Sequence, residues 1–149
     1  MAWTFSDEGT GSGFSSGSRA ASAINVATGD TIVVLVGTNV GTVYCTGVTD
    51  TAGNTYTVRT QVVNGSSTMV TAYCINATGN ASNVVTATFT SGGATKTIIV
   101  ANFTPDGGET QSLDVSMSGG SAFENSPWET GQGDTTGTDV ICMAGFQSN

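Results

Sequence analysis

The stretch 50-DTAGNTYTVRTQVVNGSSTMVTAYC-74 decides the fold class. Two turn signals, Asp50–Tyr56 and Asn64–Ser67, bracket a run in which Tyr56, Val58, Thr60 and Val62 share one face. Thr55, Thr57, Arg59 and Gln61 share the other, the alternation of a sheet with one wet side. Met69, Thr71, Tyr73 and Ile75 repeat the pattern on one face of the next run. In the first turn Gly53 and Asn54 occupy positions where a tight hairpin needs positive φ, and Asp50 can accept from the turn amides. The second turn carries the Asn-Gly pair favoured in two-residue hairpins. Thr42–Asn76 is therefore expected to be a three-strand meander.

The same period of two extends over the chain, with Gly, Asn, Asp and Ser as punctuation and no window showing an apolar stripe at helical spacing. The strands expected are Ala2–Ser6, Ala20–Ala27, Thr31–Gly37, Thr42–Thr49, Thr55–Val63, Thr68–Asn76, Asn83–Thr90, Thr95–Phe103, Gln111–Met117 and Asp139–Phe146. About ten short strands with almost no helix predict an all-β, two-sheet antiparallel β-sandwich, Ig-like or jelly-roll in connectivity. Ile32–Val36 and Ile98–Ala101 are apolar on both faces, which predicts central strands or a surface covered by another subunit. Residues 7–18, DEGTGSGFSSGS, read as a flexible Gly/Ser-rich arm, so residues 1–18 are an N-terminal strand and arm and 19–149 a single domain. Residues 119–137 read as a long loop. Deleting Met1–Ser18 is expected to leave the domain folded.

Composition narrows the function. Three basic residues, Arg19, Arg59 and Lys96, face eleven acidic ones, for a formal net charge of −8 and no histidine. Nucleic acid and anionic membrane surfaces are poor partners for such a chain, because both are bound by clustered Lys and Arg. The longest aliphatic run, Ile32–Val36, is far short of the roughly 20 residues that span a bilayer. Lack of histidine removes the commonest general base and transition-metal ligand. Glu124 and Glu129 form the one carboxylate pair of glycosidase type, but a shared loop does not supply the fixed separation that chemistry needs. Asp106 and Glu109, with Asp134 and Asp139, lack the alternating ligand spacing of a calcium loop and read as solvated acids. Residues 9–18 are Gly-rich without the Gly-Lys-Ser/Thr ending of a phosphate loop. No catalytic residue, metal or cofactor is expected. Cys45, Cys74 and Cys142 read as buried small apolar residues, with a Cys45–Cys74 disulfide as the alternative.

The block Gly29–Phe89 resembles the β-sandwich modules carried by bacteriophage virion proteins and large bacterial surface proteins. The recurring elements are a Gly-Asp-aliphatic strand, a Val-Thr-Asp-x-x-Gly-Asn-x-Tyr hairpin and a strand ending near an aromatic. Here they are Gly29–Val36, Val48–Tyr56 and Met69–Tyr73. The resemblance implies a non-enzymatic structural protein on the virion exterior, made in the host cytoplasm without a secretion signal. A capsid decoration protein, docking on capsid or other virion subunits and on its own copies as a homo-oligomer, is the expectation. A cell-surface or tail adhesin recognising a glycan through Trp128, and a filament subunit, are the alternatives. Such modules continue past the last strand seen here, so a sheet margin is expected to be filled by Ala2–Ser6 or by another copy. The residues expected at contacts are Trp3, Phe5, Phe14 and Trp128, aromatic groups of the kind enriched at interfaces.

Overall fold

A computed structural model describes residues 3–15 and 17–106. The expected strands Gln111–Met117 and Asp139–Phe146, the 119–137 loop, Glu124, Glu129, Trp128 and Cys142 lie outside the described residues. Among the described residues there is no helix, and eleven strands follow one another: β1 (Trp3–Ser15), β2 (Ser18–Ala20), β3 (Ile24–Val26), β4 (Thr31–Thr38), β5 (Cys45–Asp50), β6 (Thr57–Val58), β7 (Val62–Asn64), β8 (Ser67–Cys74), β9 (Asn80–Asn83), β10 (Val85–Phe89) and β11 (Ala94–Pro105).

The strands form an all-β antiparallel sandwich. One layer is a six-stranded sheet in the order β1-β11-β4-β8-β6, with β7 also paired to β8. The other layer is the sheet β2-β10-β5, beside the two-stranded pair β3-β9. The core lies between them. Ile32, Val34, Val36, Val70, Ala72, Cys74, Ile98 and Val100 come from the large sheet, and Ala21, Ile24, Val26, Cys45, Val48, Val85, Ala87 and Phe89 from the opposite layer. The two runs apolar on both faces are the central strands β4 and β11, whose inner residues are buried and whose outer residues Leu35, Ile99 and Ala101 are half-buried. In β8 the pleat turns Val70, Ala72 and Cys74 inward and leaves the bulkier Met69, Thr71 and Tyr73 outside. Cys45 and Cys74 are buried free thiols on strands of different layers, so the disulfide alternative is not realised. Burial pushes both thiols up, with the Asp50 charge adding to the effect at Cys74, which leaves them unreactive.

The meander is half present. β7 and β8 form the hairpin at Asn64–Ser67, with Gly65 at φ 57°. The Asp50–Tyr56 turn does not close a hairpin: β5 pairs with β10, while β6 pairs with β8, so the chain crosses between layers there. Gly53 takes the expected positive φ of 77°, but Asn54 works through its side chain. The Asp50 carboxylate accepts from Asn54 N–H (2.9 Å), Asn54 Nδ2 (2.8 Å), Tyr56 Oη (2.9 Å) and Asn83 Nδ2 (2.9 Å). Asn83, fully buried, in turn accepts from Thr51 Oγ1 and Ala52 N–H through its Oδ1. The strand expected over Thr55–Val63 is broken at residues 59–61, where Gln61 turns its amide to the edge of β5. Its Oε1 accepts from Cys45 N–H (2.8 Å) and its Nε2 donates to Cys45 C=O (3.0 Å), standing in for a neighbouring strand.

The largest correction concerns residues 7–18. No arm runs over residues 7–15: β1 extends unbroken except for a bulge between Phe5 and Asp7, and pairs with β11 from Trp3↔Pro105 to Ser15↔Ala94. The glycines serve closeness. Gly9 and Gly11 face the interior where the β2–β3 segment crosses β1, and a Cβ on Gly11 would collide with the Ala20 carbonyl. At Gly9 it would lie 2.5 Å from Ser22 O. The N-terminal segment is therefore a strand of thirteen residues paired with β11, rather than the five-residue strand expected.

Two predictions follow from these contacts. Gly11→Val should cost about 1–3 kcal/mol or more in equilibrium denaturation, the scale of overpacking against backbone that cannot yield. Deletion of Met1–Ser18 should unfold the domain, since it strips β11 of a full-length partner. A third prediction concerns acid. Burial alone would raise the Asp50 carboxyl, but the donors from Asn83, Asn54 and Tyr56 outweigh it and hold the group below its ordinary value of 3.8. A depressed folded-state value means that the stabilisation is complete above the ordinary carboxylate range and is lost as pH falls through the folded value. Asp50→Asn should therefore be less stable than the parent near neutrality, with the gap closing in denaturant melts taken at progressively lower pH.

Candidate docking face

The outer face of the six-stranded sheet follows from the register. Across β1, β11, β4 and β8 its rows are Phe5–Phe103–Thr31, Glu8–Ala101–Val33–Tyr73, Thr10–Ile99–Leu35–Thr71 and Ser12–Thr97–Gly37–Met69. Charged groups are nearly lacking from these rows; Glu8 is the exception. Aliphatic and aromatic side chains run diagonally from Trp3 and Phe5 through Phe103, Ile99 and Leu35 to Met69. β-branched and aromatic residues suit such a pleated surface. Burial inside the sandwich does not account for them, because their inner neighbours Ile98, Val100, Val34 and Ala72 fill that space.

Of the four residues expected at contacts, three belong to this face. Trp3 begins β1 opposite Pro105 and is half-buried. Phe5 is 54% exposed and meets Phe103 edge-on, with ring centroids 5.9 Å apart at 72°. That arrangement is the favoured quadrupole geometry, so the pair forms one aromatic ridge. Phe14 is 73% exposed at the opposite end of β1, across from Thr95. Trp128 lies outside the described residues. Sequence reasoning did not assign Phe103, Ile99, Leu35, Tyr73 and Met69 to a site. Their signal was present, as the second apolar face of Ile32–Val36 and Ile98–Ala101 and as the large residues of Met69–Ile75.

Part of the β1 edge of this sheet is already hydrogen-bonded. Along the free side of β1, Asp7 Oδ1 accepts from Glu8 N–H (2.8 Å) and Ser22 Oγ accepts from Thr10 N–H (3.1 Å). Thr10 C=O accepts from Ser22 N–H (2.9 Å), and Phe14 C=O from Arg19 Nη2 (3.1 Å). Strand addition along β1 thus meets backbone groups that are already bonded, the usual protection of a long edge. No group of three or more His, Cys, Asp or Glu side chains among the described residues is arranged to hold a metal ion. No protein-family model matches the chain, and no curated protein or solved structure shows significant similarity to it.

The inner and outer rows make opposite predictions for neighbouring residues. Ile98→Ala should cost about 2–5 kcal/mol, as for other truncations in a packed core. Ile99→Ala, one position along, should cost under about 1 kcal/mol in the isolated chain. Paired urea titrations measure both values, and similar losses would mean that the outer face is covered within the chain itself.

Proposed function

We propose that this protein is a non-enzymatic structural component of a bacteriophage particle, a decoration protein that docks on the capsid exterior through the outer face of its large sheet. The observation that carries the proposal is that face: an apolar surface with an aromatic ridge at Trp3, Phe5 and Phe103, on a sheet whose β1 edge is bonded at Glu8, Thr10 and Phe14. An apolar sheet face carried on two central strands paired along both edges changes shape little on contact, so little ordering entropy opposes association. Aromatic anchors of the Phe5–Phe103 kind carry a disproportionate share of interface energy. Net charge −8 keeps free copies soluble and apart before docking. The likeness of Gly29–Phe89 to virion β-sandwich modules supports the same function, with capsid or other virion subunits and sister copies as partners.

Purified particles from the source phage provide the test. The chain should be found in them by mass spectrometry in stoichiometric ratio to the capsid subunit and should appear as outward density in electron microscopy. Phe5→Ser/Phe103→Ser should fold, as judged by circular dichroism, yet fail to sediment with particles stripped of the native protein. Recovery of the chain only from cell surfaces, or undiminished attachment of the double variant, would refute the proposal.

A further inference from the structure

The first strand is held in place differently from the others of its sheet. Of its thirteen residues only Gly9 is buried, and glycine has no side chain to contribute. Among the described residues the core takes side chains from β3, β4, β5, β8, β10 and β11, and none from β1. What fixes β1 is its ladder with β11, twelve register pairs from Trp3↔Pro105 to Ser15↔Ala94. Further bonds fasten it from outside the strand. Asp7 Oδ2 accepts from Asn25 N–H (2.7 Å), and Thr10 exchanges bonds with Ser22. Phe14 C=O accepts from Arg19 Nη2 (3.1 Å) and Ser15 C=O from Lys96 Nζ (2.8 Å). All these partners lie on β11 or within residues 19–25.

A strand that fills no part of the core leaves no cavity when it departs, so core packing does not tie it to its own copy. Its backbone bonds are directional, but any second copy presents the same donors and acceptors. Without β1, the twelve residues of β11 would be an open edge, which is a template for an incoming strand. One link, residues 16–17, carries the chain from β1 to β2 in the opposite layer. Gly17 C=O accepts from Phe89 N–H (2.8 Å), but Gly17 faces open space where a side chain would stand.

We propose that β1 is an exchangeable strand: it pairs, in the same register, with β11 of a second copy, whose own β1 returns the exchange. Every contact of the closed chain is re-formed between copies, so only the path of residues 16–17 changes. A link this short must double back between layers within one copy, and it is relieved of that turn when it runs between two. Gly9 and Gly11 suit the exchange, because they pass under the carbonyls of Ser22 and Ala20 with no side chain in the way. The outer rows of the large sheet are unchanged by it. The inference therefore stands whether or not that face docks on a capsid.

The test places cysteines at Ser12 and Thr97, whose side-chain oxygens are 3.2 Å apart across the β1–β11 ladder, within reach of a disulfide. Ser12→Cys/Thr97→Cys, in a Cys142→Ser chain, is prepared in light and isotope-heavy forms. The two are mixed equally, refolded together from urea at high concentration and oxidised. Trypsin cuts after Arg19, Arg59 and Lys96. Positions 12 and 97 then fall in different peptides, and mass spectrometry reads which chains were joined. Mixed light–heavy 12–97 pairs should be as abundant as the two unmixed kinds together, in a species larger than a monomer. Refolding at high dilution should give unmixed pairs in a monomer. Thr10→Cys/Ile99→Cys, the adjacent pair of the same ladder, carries the measurement should the first variant fail to fold. Unmixed pairs alone at every concentration would overturn the proposal. So would 12–12 or 97–97 linkages as frequent as 12–97, because they mark contact between outer faces instead of exchange.

Discussion

The two layers of this sandwich are joined through one carboxylate. Asp50, at the last position of β5, accepts hydrogen bonds from the turn that follows it, from Tyr56 at the entry to β6, and from Asn83 at the end of β9. These segments belong to different sheets, and each would otherwise carry polar groups into a half-buried place without partners. An ionised acceptor satisfies several donors more strongly than a neutral one could. Tyr56 shows the reciprocal effect: burial and the bond to Asp50 push its hydroxyl far above the ordinary value, so it remains a donor at any relevant pH. The motif Val48–Tyr56 is thus a joint between layers, with Gly53 and Asn54 shaping the path of the chain around the carboxylate.

A second constraint is steric. β2 and β3 cross β1 so closely that its interior face has no room for side chains at Gly9 and Gly11. The outer face of the same strand carries Trp3, Phe5, Glu8, Thr10, Ser12 and Phe14. The alternation of glycine with larger residues is therefore a strand pattern in which the inner residue has been reduced to hydrogen. Once β1 is in place, β11 becomes a central strand, and the outer face of the large sheet becomes continuous from Trp3 to Met69.

The strand pattern, the absence of helix among the described residues and the central placement of Ile32–Val36 and Ile98–Ala101 were legible because they depend on periodicity and burial, which a linear sequence carries. The Asn64–Ser67 hairpin was legible for the same reason, since a two-residue turn closes within its own residues. Trp3, Phe5 and Phe14 could be singled out as candidates, because large aromatics in polar surroundings have no local explanation, and all three lie on the outer face of the large sheet. The sharing of one surface by Trp3, Phe5, Phe103, Ile99, Leu35 and Met69 could not be read, since it depends on the register of four strands far apart in the chain.

Sequence alone determined that this chain is an acidic, antiparallel β protein whose strongest strands are apolar on both faces, because alternation and turn chemistry act over a few residues. Tertiary structure decided that 7-DEGTGSGFS-15 is strand rather than arm, and that Asp50–Tyr56 links layers rather than closing a hairpin. It also decided that Arg19 and Lys96, far apart in the chain, come to the same end of the sandwich. Each outcome turns on which distant segment lies alongside: glycine is strand-compatible where a neighbour leaves no space, and a turn joins whichever partners its flanking strands find. A cation's environment is likewise set by the layer opposite it, information held by the packing of remote residues.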